Sequence, residues 1–197
     1  GIGTIGIADN DTVSLSNIHR QSLYNEKDIN QSKVKIAKKK LNKINSKTKI
    51  NIFNLKLNKT TFEKIIKNYD YIVDGTDNFE SKFLINDLSL KYKKFLVTGA
   101  ISKFDGHIFT FNFTNKKDPC LRCFYQEETI SDEILNCEYE GILGTVAGII
   151  GTLQANEVLK KILNIGQNLN GYILILDLLN LNFRKAKINK RKKCLCS

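Results

Sequence analysis

Strand-like and helix-like stretches alternate along the first hundred residues of this 197-residue chain, and this alternation constrains the fold more than any other feature. The strand-like stretches are short and rich in apolar residues, and they are residues 4–9, 50–55, 71–74 and 95–100. The helix-like stretches repeat apolar residues on one helix face, and they are residues 31–44, 60–68 and 79–92. Such alternation is typical of a parallel sheet whose strands are joined by crossover helices.

The second half of the chain has a different pattern. Its regular stretches are three predicted strands and one long predicted helix, at residues 106–113, 171–176, 181–188 and 145–163. Residues 120–139 are the least regular and predict a loop that crosses over the sheet. We therefore predict an α/β fold in a single domain, residues 1–197. Its Rossmann-like mixed sheet is parallel in the first half, antiparallel in the second half and flanked by helices.

The composition argues against several classes of protein. The net charge is +11, but only four of the 31 basic residues are Arg, the better bidentate group for phosphate and guanine. We therefore predict no nucleic-acid partner, although a binder with a steep salt dependence stays open as an alternative. No apolar run approaches the roughly 20 residues of a membrane span, so we predict no membrane partner. Five Cys and one Pro do not fit a secreted disulfide scaffold and favour a reducing, cytoplasmic location.

The first six residues match the dinucleotide-binding pattern Gly-x-Gly-x-x-Gly, with glycines at Gly1, Gly3 and Gly6. That motif needs a strand before it and a helix after it, because the N-terminus of the helix must face the phosphate. Here the predicted element after the motif is a strand. We therefore interpret these glycines as a tight turn that enters a strand.

Several polar and glycine-containing motifs occur in a fixed order along the chain. They are Asp9, Ser16-Asn17-Ile18-His19-Arg20-Gln21, Lys33, Asp74-Gly75-Thr76-Asp77-Asn78, Cys120-Leu121-Arg122-Cys123, Asn136-Cys137 and Gly151-Thr152-Leu153-Gln154-Ala155. In this order they resemble the ThiF/MoeB/HesA family, the bacterial relatives of ubiquitin-activating enzymes. The resemblance runs through nearly the whole chain.

The residue types in these motifs suit a bound nucleotide. A carboxylate at the end of a parallel strand, such as Asp9, can accept hydrogen bonds from the ribose of ATP or of NAD. Arg20 and Lys33 offer positive charge for a triphosphate, and Asn17 adds a neutral donor. Asp77 is a candidate ligand for Mg²⁺, which takes one or two carboxylates and completes its shell with phosphate oxygens. Each of these residues could instead serve in a cap, a turn or a surface ion pair.

The resemblance implies a reaction. Members of the family use ATP and Mg²⁺ to adenylate the C-terminal glycine of a small ubiquitin-like sulfur carrier, for molybdopterin or thiamine thiazole synthesis. The residues implied at the nucleotide are Asp9, Ser16, Asn17, Arg20, Lys33, Asp77 and Asn78. Of these, Arg20, Lys33 and Asp77 are implied as catalytic groups.

The resemblance also implies partners, namely the carrier, a second copy of the chain in a homodimer and a sulfurtransferase donor. Two alternatives stay open. The first is a non-catalytic remnant or scaffold that still binds a carrier protein. The second is an NAD-binding oxidoreductase, which would have no use for the paired cysteines or for the Ser-Asn-x-x-Arg-Gln run.

The cysteines fall into separate groups. Cys120 and Cys123 have the Cys-x-x-Cys spacing of a zinc knuckle, and Cys194 and Cys196 lie where the family has a second such pair. The resemblance implies that these four hold a structural Zn²⁺ and form a zinc-knuckle tail. A metal-free cluster and a disulfide or redox pair stay open. Cys137 is implied to act in sulfur transfer, with an inert buried Cys as the alternative.

In the family, a strand, a Gly-rich phosphate loop, a helix and an Arg that reaches the partner's ATP precede the position of Gly1. The resemblance therefore implies a domain that is incomplete at its N-terminus, either because the natural protein is longer or because the chain is an inactive remnant. We expect that residues 1–197 alone do not catalyse ATP–pyrophosphate exchange, since Arg20 and Lys33 can pair with only part of the triphosphate charge.

Overall fold

The computed structural model describes residues 2–125 and 141–197, and the chain divides into two compact units. The first unit is Gly1–Asn58 and the second is Lys59–Ser197. Among the described residues, the first unit has a sheet of two strands and the second unit a sheet of five. No helix in these parts of the chain combines the length and apolarity that crossing a membrane requires.

The first unit is a parallel strand pair with a crossover helix. Its elements in chain order are β1 (Thr4–Ala8), α1 (Leu15–Ile18), a 3₁₀ turn (Glu26–Asp28), α2 (Lys33–Ile44) and β2 (Lys49–Phe53). β1 and β2 pair in parallel, with Ile5 opposite Ile50. The helix α2 forms because its apolar residues Val34, Ile36 and Ala37 share one buried face, while most of its lysines are exposed.

The second unit is a mixed sheet with helices. Its strands are β3 (Tyr71–Asp74), β4 (Phe95–Ser102), β5 (Asp105–Asn112), β6 (Tyr172–Asp177) and β7 (Asn182–Lys187), in that spatial order. Its helices are α3 (Lys59–Ile66), α4 (Phe79–Lys91), α5 (Leu121–Phe124) and α6 (Gly144–Leu163). β3 and β4 are parallel because α4 crosses between them, whereas β4 to β7 pair antiparallel.

The core of the second unit forms where α6 packs on the sheet. Val146, Ile150 and Val158 of α6 contact buried residues of β4, β5 and β6. A Cβ atom built at Gly106 of β5 would lie 2.3 Å from Ile150 Cδ1, so this position needs a glycine for the helix to approach. The close contact places the N-terminal half of α6 against the centre of the sheet.

The structure confirms the predicted mixed α/β fold. Each predicted strand and helix is present, with bounds shifted by no more than two residues. The short helices α1 and α5 were not expected, because four residues carry too little periodicity to be recognised. α5 lies inside the predicted loop 120–139, most of which falls outside the described residues. That residues 1–197 form a single domain stays a prediction.

Candidate functional site

Asp9 follows directly after β1, at the carboxyl end of the parallel pair. Its backbone N–H donates to the Phe53 carbonyl at 3.2 Å, and its Oδ1 accepts from the backbone N–H of Asp11 at 2.8 Å. The Asp9 carboxylate therefore stabilises the turn at residues 9–11. At this place in a parallel sheet, a carboxylate can also accept hydrogen bonds from ribose hydroxyls.

Ser16, Asn17 and Arg20 come together around the short helix α1. Arg20 Nη1 donates to the Ser16 carbonyl at 2.8 Å, so the guanidinium folds back along the helical turn. The Asn17 carbonyl accepts from the backbone N–H groups of Arg20 and Gln21 at 3.1 and 2.9 Å. The Ser16 hydroxyl lies 2.9 Å from that of Ser14. Three residues predicted to contact a nucleotide thus share one turn of the chain.

Lys33 is the first residue of α2, and its ammonium group pairs with Asp11. Lys33 Nζ lies 3.0 Å from Asp11 Oδ2, with side-chain exposures of 8% for Lys33 and 59% for Asp11. The Lys33 N–H also donates to the Asp11 carbonyl at 3.0 Å. Asp11 was missed by the sequence reasoning, although its place two residues after Asp9 was a usable signal. It joins the Lys33 cation to the turn that Asp9 closes.

Tyr24 is a further neighbour of Lys33. Its hydroxyl donates to the Lys33 carbonyl at 3.2 Å. Burial raises the pKa of Tyr24 to about 12, and the negative charges of Asp9 and Asp28 act in the same direction. The phenol therefore keeps its proton at neutral pH and acts as a hydrogen-bond donor.

In the second unit, residues 75–78 form the loop between β3 and α4, and they include Asp77 and Asn78. Asn78 Oδ1 accepts from the Ser81 N–H at 2.8 Å and so caps α4. Asn78 Nδ2 donates to Asp77 Oδ1 at 3.2 Å. The Asp77 carboxylate is exposed at the carboxyl end of β3, where a hard cation can reach it.

A buried polar network lies at the base of this loop. Asp74, the last residue of β3, pairs with Lys82 of α4 at 3.1 Å, and both side chains are almost completely buried. Lys82 Nζ also donates to the Gly99 carbonyl at 2.6 Å, and Gln154 of α6 donates to the Asp74 carbonyl at 2.8 Å. The sequence motifs include Asp74 and Gln154 without a role. Lys82 carried no signal, because a helical lysine is normally exposed.

Four cysteines that are distant in sequence meet in the second unit. The Sγ atoms of Cys120, Cys123, Cys194 and Cys196 all lie within 4.8 Å of one another. The sulfurs of Cys120 and Cys194 are 3.5 Å apart, as are those of Cys123 and Cys196. A tetrahedral ion bonded to four thiolates at about 2.3 Å separates the sulfurs by about 3.8 Å. The cluster therefore has the geometry to hold a metal ion.

The protonation of these thiols also fits a cation. Burial raises the pKa of Cys120, and the three neighbouring thiols raise it further. Burial and the Cys123 thiol raise the pKa of Cys196 to about 12. For Cys194, burial raises the pKa, but hydrogen bonds at Cys196 and from the other thiols lower it by more. Because the pKa values of Cys120 and Cys196 are raised, these two thiols would release their protons more readily beside a positive charge such as a metal ion.

The first cysteine pair is attached to α4. The Leu121 N–H donates to Asn86 Oδ1 at 3.0 Å, and Arg122 makes two hydrogen bonds to the Asp87 carboxylate, each 2.8 Å long. The Arg122 guanidinium carbon also lies 4.3 Å from the centroid of the Phe83 ring. The thiol cluster and the Asp77 loop are therefore connected to the same helix. Cys137, the predicted sulfur-transfer residue, lies outside the described residues.

The chain is similar in sequence to known adenylyltransferases. A model described as the ThiF family matches residues 1–197. A probable molybdopterin-synthase adenylyltransferase of Porphyra purpurea is 44% identical over 189 residues, which cover 95% of this chain and 49% of that protein. The sulfur carrier protein adenylyltransferase of Thermus thermophilus is 33% identical over 197 residues, covering 98% of this chain and 73% of that protein. The chain thus spans about half the length of the Porphyra protein.

The fold is also similar to solved structures. The crystal structure of E. coli MccB with ATP superposes on the whole of this chain and on 60% of its own chain, with a TM-score of 0.85 and 20% sequence identity. At this identity the likeness concerns the fold.

Proposed function

The chain belongs to the ThiF family, and from this premise we propose that it supplies the adenylating domain of an enzyme that activates a ubiquitin-like sulfur carrier. The C-terminal glycine carboxylate of the carrier attacks the α-phosphate of ATP, and pyrophosphate leaves. The observation that carries the proposal is the family match along all 197 residues, together with relatives named adenylyltransferases. The pathway we propose is molybdopterin or thiamine thiazole synthesis.

The first unit binds the nucleotide in this proposal. Asp9 accepts hydrogen bonds from the ribose, while Ser16 and Asn17 contact the nucleotide and Arg20 and Lys33 offset the triphosphate charge. The support is that Arg20 and Lys33 are both ordered by contacts with their neighbours, at 2.8 and 3.0 Å. Ordered cations lose less side-chain entropy when a phosphate binds. No general base is needed, since a carboxylate is already nucleophilic near neutral pH.

The second unit supplies the ligands for Mg²⁺. Asp77 is the carboxylate that would hold the ion, and Asn78 beside it orients the Asp77 side chain through the 3.2 Å hydrogen bond. Mg²⁺ would neutralise part of the charge that develops as pyrophosphate leaves. The support is that the Asp77 carboxylate is exposed, while the ends of its loop are hydrogen-bonded to β3 and α4.

We propose that the thiol cluster holds one structural Zn²⁺. Four thiolates at tetrahedral distances are the usual ligands of a closed zinc site. The few cysteines and the single proline of the chain support a reducing, cytoplasmic location in this proposal. Cys137 would serve a later step, in which its thiolate takes the acyl group of the carrier and AMP leaves. Sulfide supplied by a sulfurtransferase donor would then displace the Cys137 thiolate and give the thiocarboxylate. A second copy of the chain completes a homodimer in this proposal, as the family pattern implies.

ATP–pyrophosphate exchange with the full-length gene product tests the proposed function. We expect exchange that depends on Mg²⁺ and on a sulfur carrier of the molybdopterin or thiazole type. A carrier without its final glycine is the matched control and should give none, because the reacting carboxylate is displaced. Carrier binding without any exchange would contradict the proposal and favour the scaffold alternative.

A further inference from the structure

A network of hydrogen bonds joins the Asp77 loop to the elements beneath it. Its members are Thr76 of the loop itself, Asp74 of β3, Lys82 of α4 and Gln154 of α6, and we call them the loop-base network. Asp74 accepts hydrogen bonds at every oxygen it has. Its Oδ1 accepts from the N–H and the hydroxyl of Thr76 at 2.9 and 2.7 Å, and its Oδ2 accepts from Lys82 at 3.1 Å. Its carbonyl accepts from Gln154 at 2.8 Å. Every oxygen atom of Asp74 therefore has a hydrogen-bond donor from within the network.

Stability is a poor explanation for the ion pair in this network. The side-chain exposures of Lys82 and Asp74 are 5% and 0%. Removing two charges from water costs so much that apolar residues of the same volume are often as stable or more stable. What such a pair does supply is a single geometry, because each charge accepts few alternative partners. The Lys82–Asp74 pair thus fixes the position of the backbone and side-chain groups that are bonded to it.

The attached group is the loop of residues 75–78. At its start, Asp74 holds both the N–H and the hydroxyl of Thr76. At its end, the Asn78 carbonyl accepts from the Lys82 N–H at 3.1 Å, so the loop also joins the helix that carries Lys82. Asp77 lies between these two anchors. A displacement of Lys82 would therefore move both ends of the loop.

Gln154 fixes the other side of the network. Its Nε2 donates to the Asp74 carbonyl and to the Val97 carbonyl, at 2.8 and 3.3 Å. A Cβ atom built at Gly99 would lie 2.7 Å from Gln154 Oε1, so this glycine leaves the space that the amide occupies. The amide therefore bridges Asp74, the last residue of β3, from which the loop leaves the sheet, and Val97 inside β4.

We propose that Lys82 and Gln154 are positioning residues that hold the Asp77 carboxylate where Mg²⁺ binds during adenylation. This inference rests on the proposed function, because it needs the metal role of Asp77. Groups that orient a metal ligand from behind affect metal binding without touching the ion. The two residues therefore act through Asp74 and Thr76 and have no contact with the reacting atoms.

Two variants of the full-length gene product test the proposal. Lys82→Met combined with Asp74→Asn removes both charges at once and nearly keeps the volume, so neither charge is left buried without its partner. We expect the Mg²⁺ concentration for half-maximal ATP–pyrophosphate exchange to rise about 10- to 100-fold. Gln154→Met should also raise this Mg²⁺ concentration. If the double variant does not fold, Thr76→Val replaces it, because that change removes only the 2.7 Å hydroxyl contact at the loop.

The matched control is Thr110→Val, which removes a buried 3.1 Å hydrogen bond to Glu157 of the same helix α6 but touches no part of the loop. It should leave the Mg²⁺ requirement unchanged. Hydrogen exchange at the Thr76 amide gives a readout that is independent of activity, and it should accelerate in the double variant and in Gln154→Met but not in Thr110→Val.

The outcomes separate the two proposals. Wild-type protein that shows no exchange with any carrier overturns the proposed function, and the positioning role with it. Wild-type exchange, with a Mg²⁺ requirement that changes no more in the folded network variants than in Thr110→Val, overturns the positioning role alone.

Discussion

The two compact units hold their candidate residues by different kinds of contact. In the first unit, Asp9 and Arg20 bond to groups two and four positions away, the Asp11 N–H and the Ser16 carbonyl. In the second unit, the Asp77 loop depends on Asp74, whose partner groups on α4 and α6 are eight and 80 positions away. Local contacts order a charged group and leave it accessible, whereas long-range buried contacts fix where a loop lies. Lys33 is the exception in the first unit, because it is buried and its partner Asp11 is 22 positions away. Asp9 and Arg20 are thus held by local contacts, whereas the Asp77 loop is held through the core of the second unit.

The largest effect we expect comes from removing the charged groups themselves. Arg20→Ala, Lys33→Ala and Asp77→Ala should each lower kcat/KM for exchange by about 10²- to 10³-fold, or about 2.7–4 kcal/mol, by analogy with the loss of an oxyanion donor. Arg20 and Asp77 are partly or fully exposed, so their variants should keep the wild-type unfolding transition. Lys33→Ala should lower the unfolding temperature as well as the activity, because Lys33 is buried. Exchange kinetics and thermal unfolding measure the two effects.

Lys35→Ala is the control for these variants, because Lys35 lies on the exposed side of the same helix as Lys33. It should change neither activity nor stability. Near-wild-type exchange in all three site variants would remove the distinction between the two units, since none of the assigned charges would then act on the nucleotide.

The same contrast explains what could be predicted from the sequence. The strands and helices follow from apolar periodicity, and Asp9, Arg20 and Asp77 stand beside predicted strand ends or within ordered motifs. Lys82 could not be recognised, because its burial depends on Asp74 and Gly99, which only the folded chain brings to it. The thiol cluster could be predicted through the resemblance alone, since 70 residues lie between Cys123 and Cys194.

A second prediction concerns the metal. Removing the ion with a chelator should destabilise the second unit by about 2.7 kcal/mol or more, the value for a ligand present at 100 times its Kd. The loss should appear in hydrogen exchange at α5 and α4, because Arg122 and Leu121 attach the first cysteine pair to α4. Amides of α2 in the first unit serve as the internal reference. Elemental analysis should find about one zinc per chain, the content of a single four-cysteine site.

Zinc added back after chelation should restore the protection, and Cys120→Ser should prevent this recovery. Well under half an equivalent of metal in metal-replete protein would show that the thiols form no zinc site. The cluster would then be held by the contacts of Leu121 and Arg122 with α4.

A third prediction separates Cys137 from the four clustered thiols. Cys137→Ala should leave ATP–pyrophosphate exchange unchanged, because the carrier carboxylate attacks ATP without a thiol. It should lower the yield of thiocarboxylate in a coupled assay, because the acyl group of the carrier then has no Cys137 thiolate to pass to. Equal yields from wild type and variant would assign Cys137 a structural role.

The smallest effect we expect comes from a carboxylate that is held at the surface of the second unit. Glu63 of α3 pairs with Lys91 of α4 and accepts from the Tyr92 hydroxyl at 2.5 Å. The hydrogen bonds from Lys91 and Tyr92 lower the pKa of Glu63 to about 2. Because the folded pKa lies below the unfolded value of 4.5, the stabilising contribution is present above pH 4.5 and is lost as the pH falls toward 2.

An NMR titration of the Glu63 carboxyl carbon in wild type and Lys91→Met tests this pair. The variant should titrate nearer the ordinary range of a glutamate, because the largest cause of the shift is gone. Lys64→Met removes an exposed charge from α3, the helix that carries Glu63, and should leave the midpoint of the Glu63 titration unchanged. The Lys91 side chain is 56% exposed, so water and salt screen the pair, and its loss should change the unfolding transition little at neutral pH. A large loss of stability in Lys91→Met would mean that a surface pair can hold this unit as firmly as buried contacts do. The contrast between accessible charge and buried position would then fail within the second unit itself.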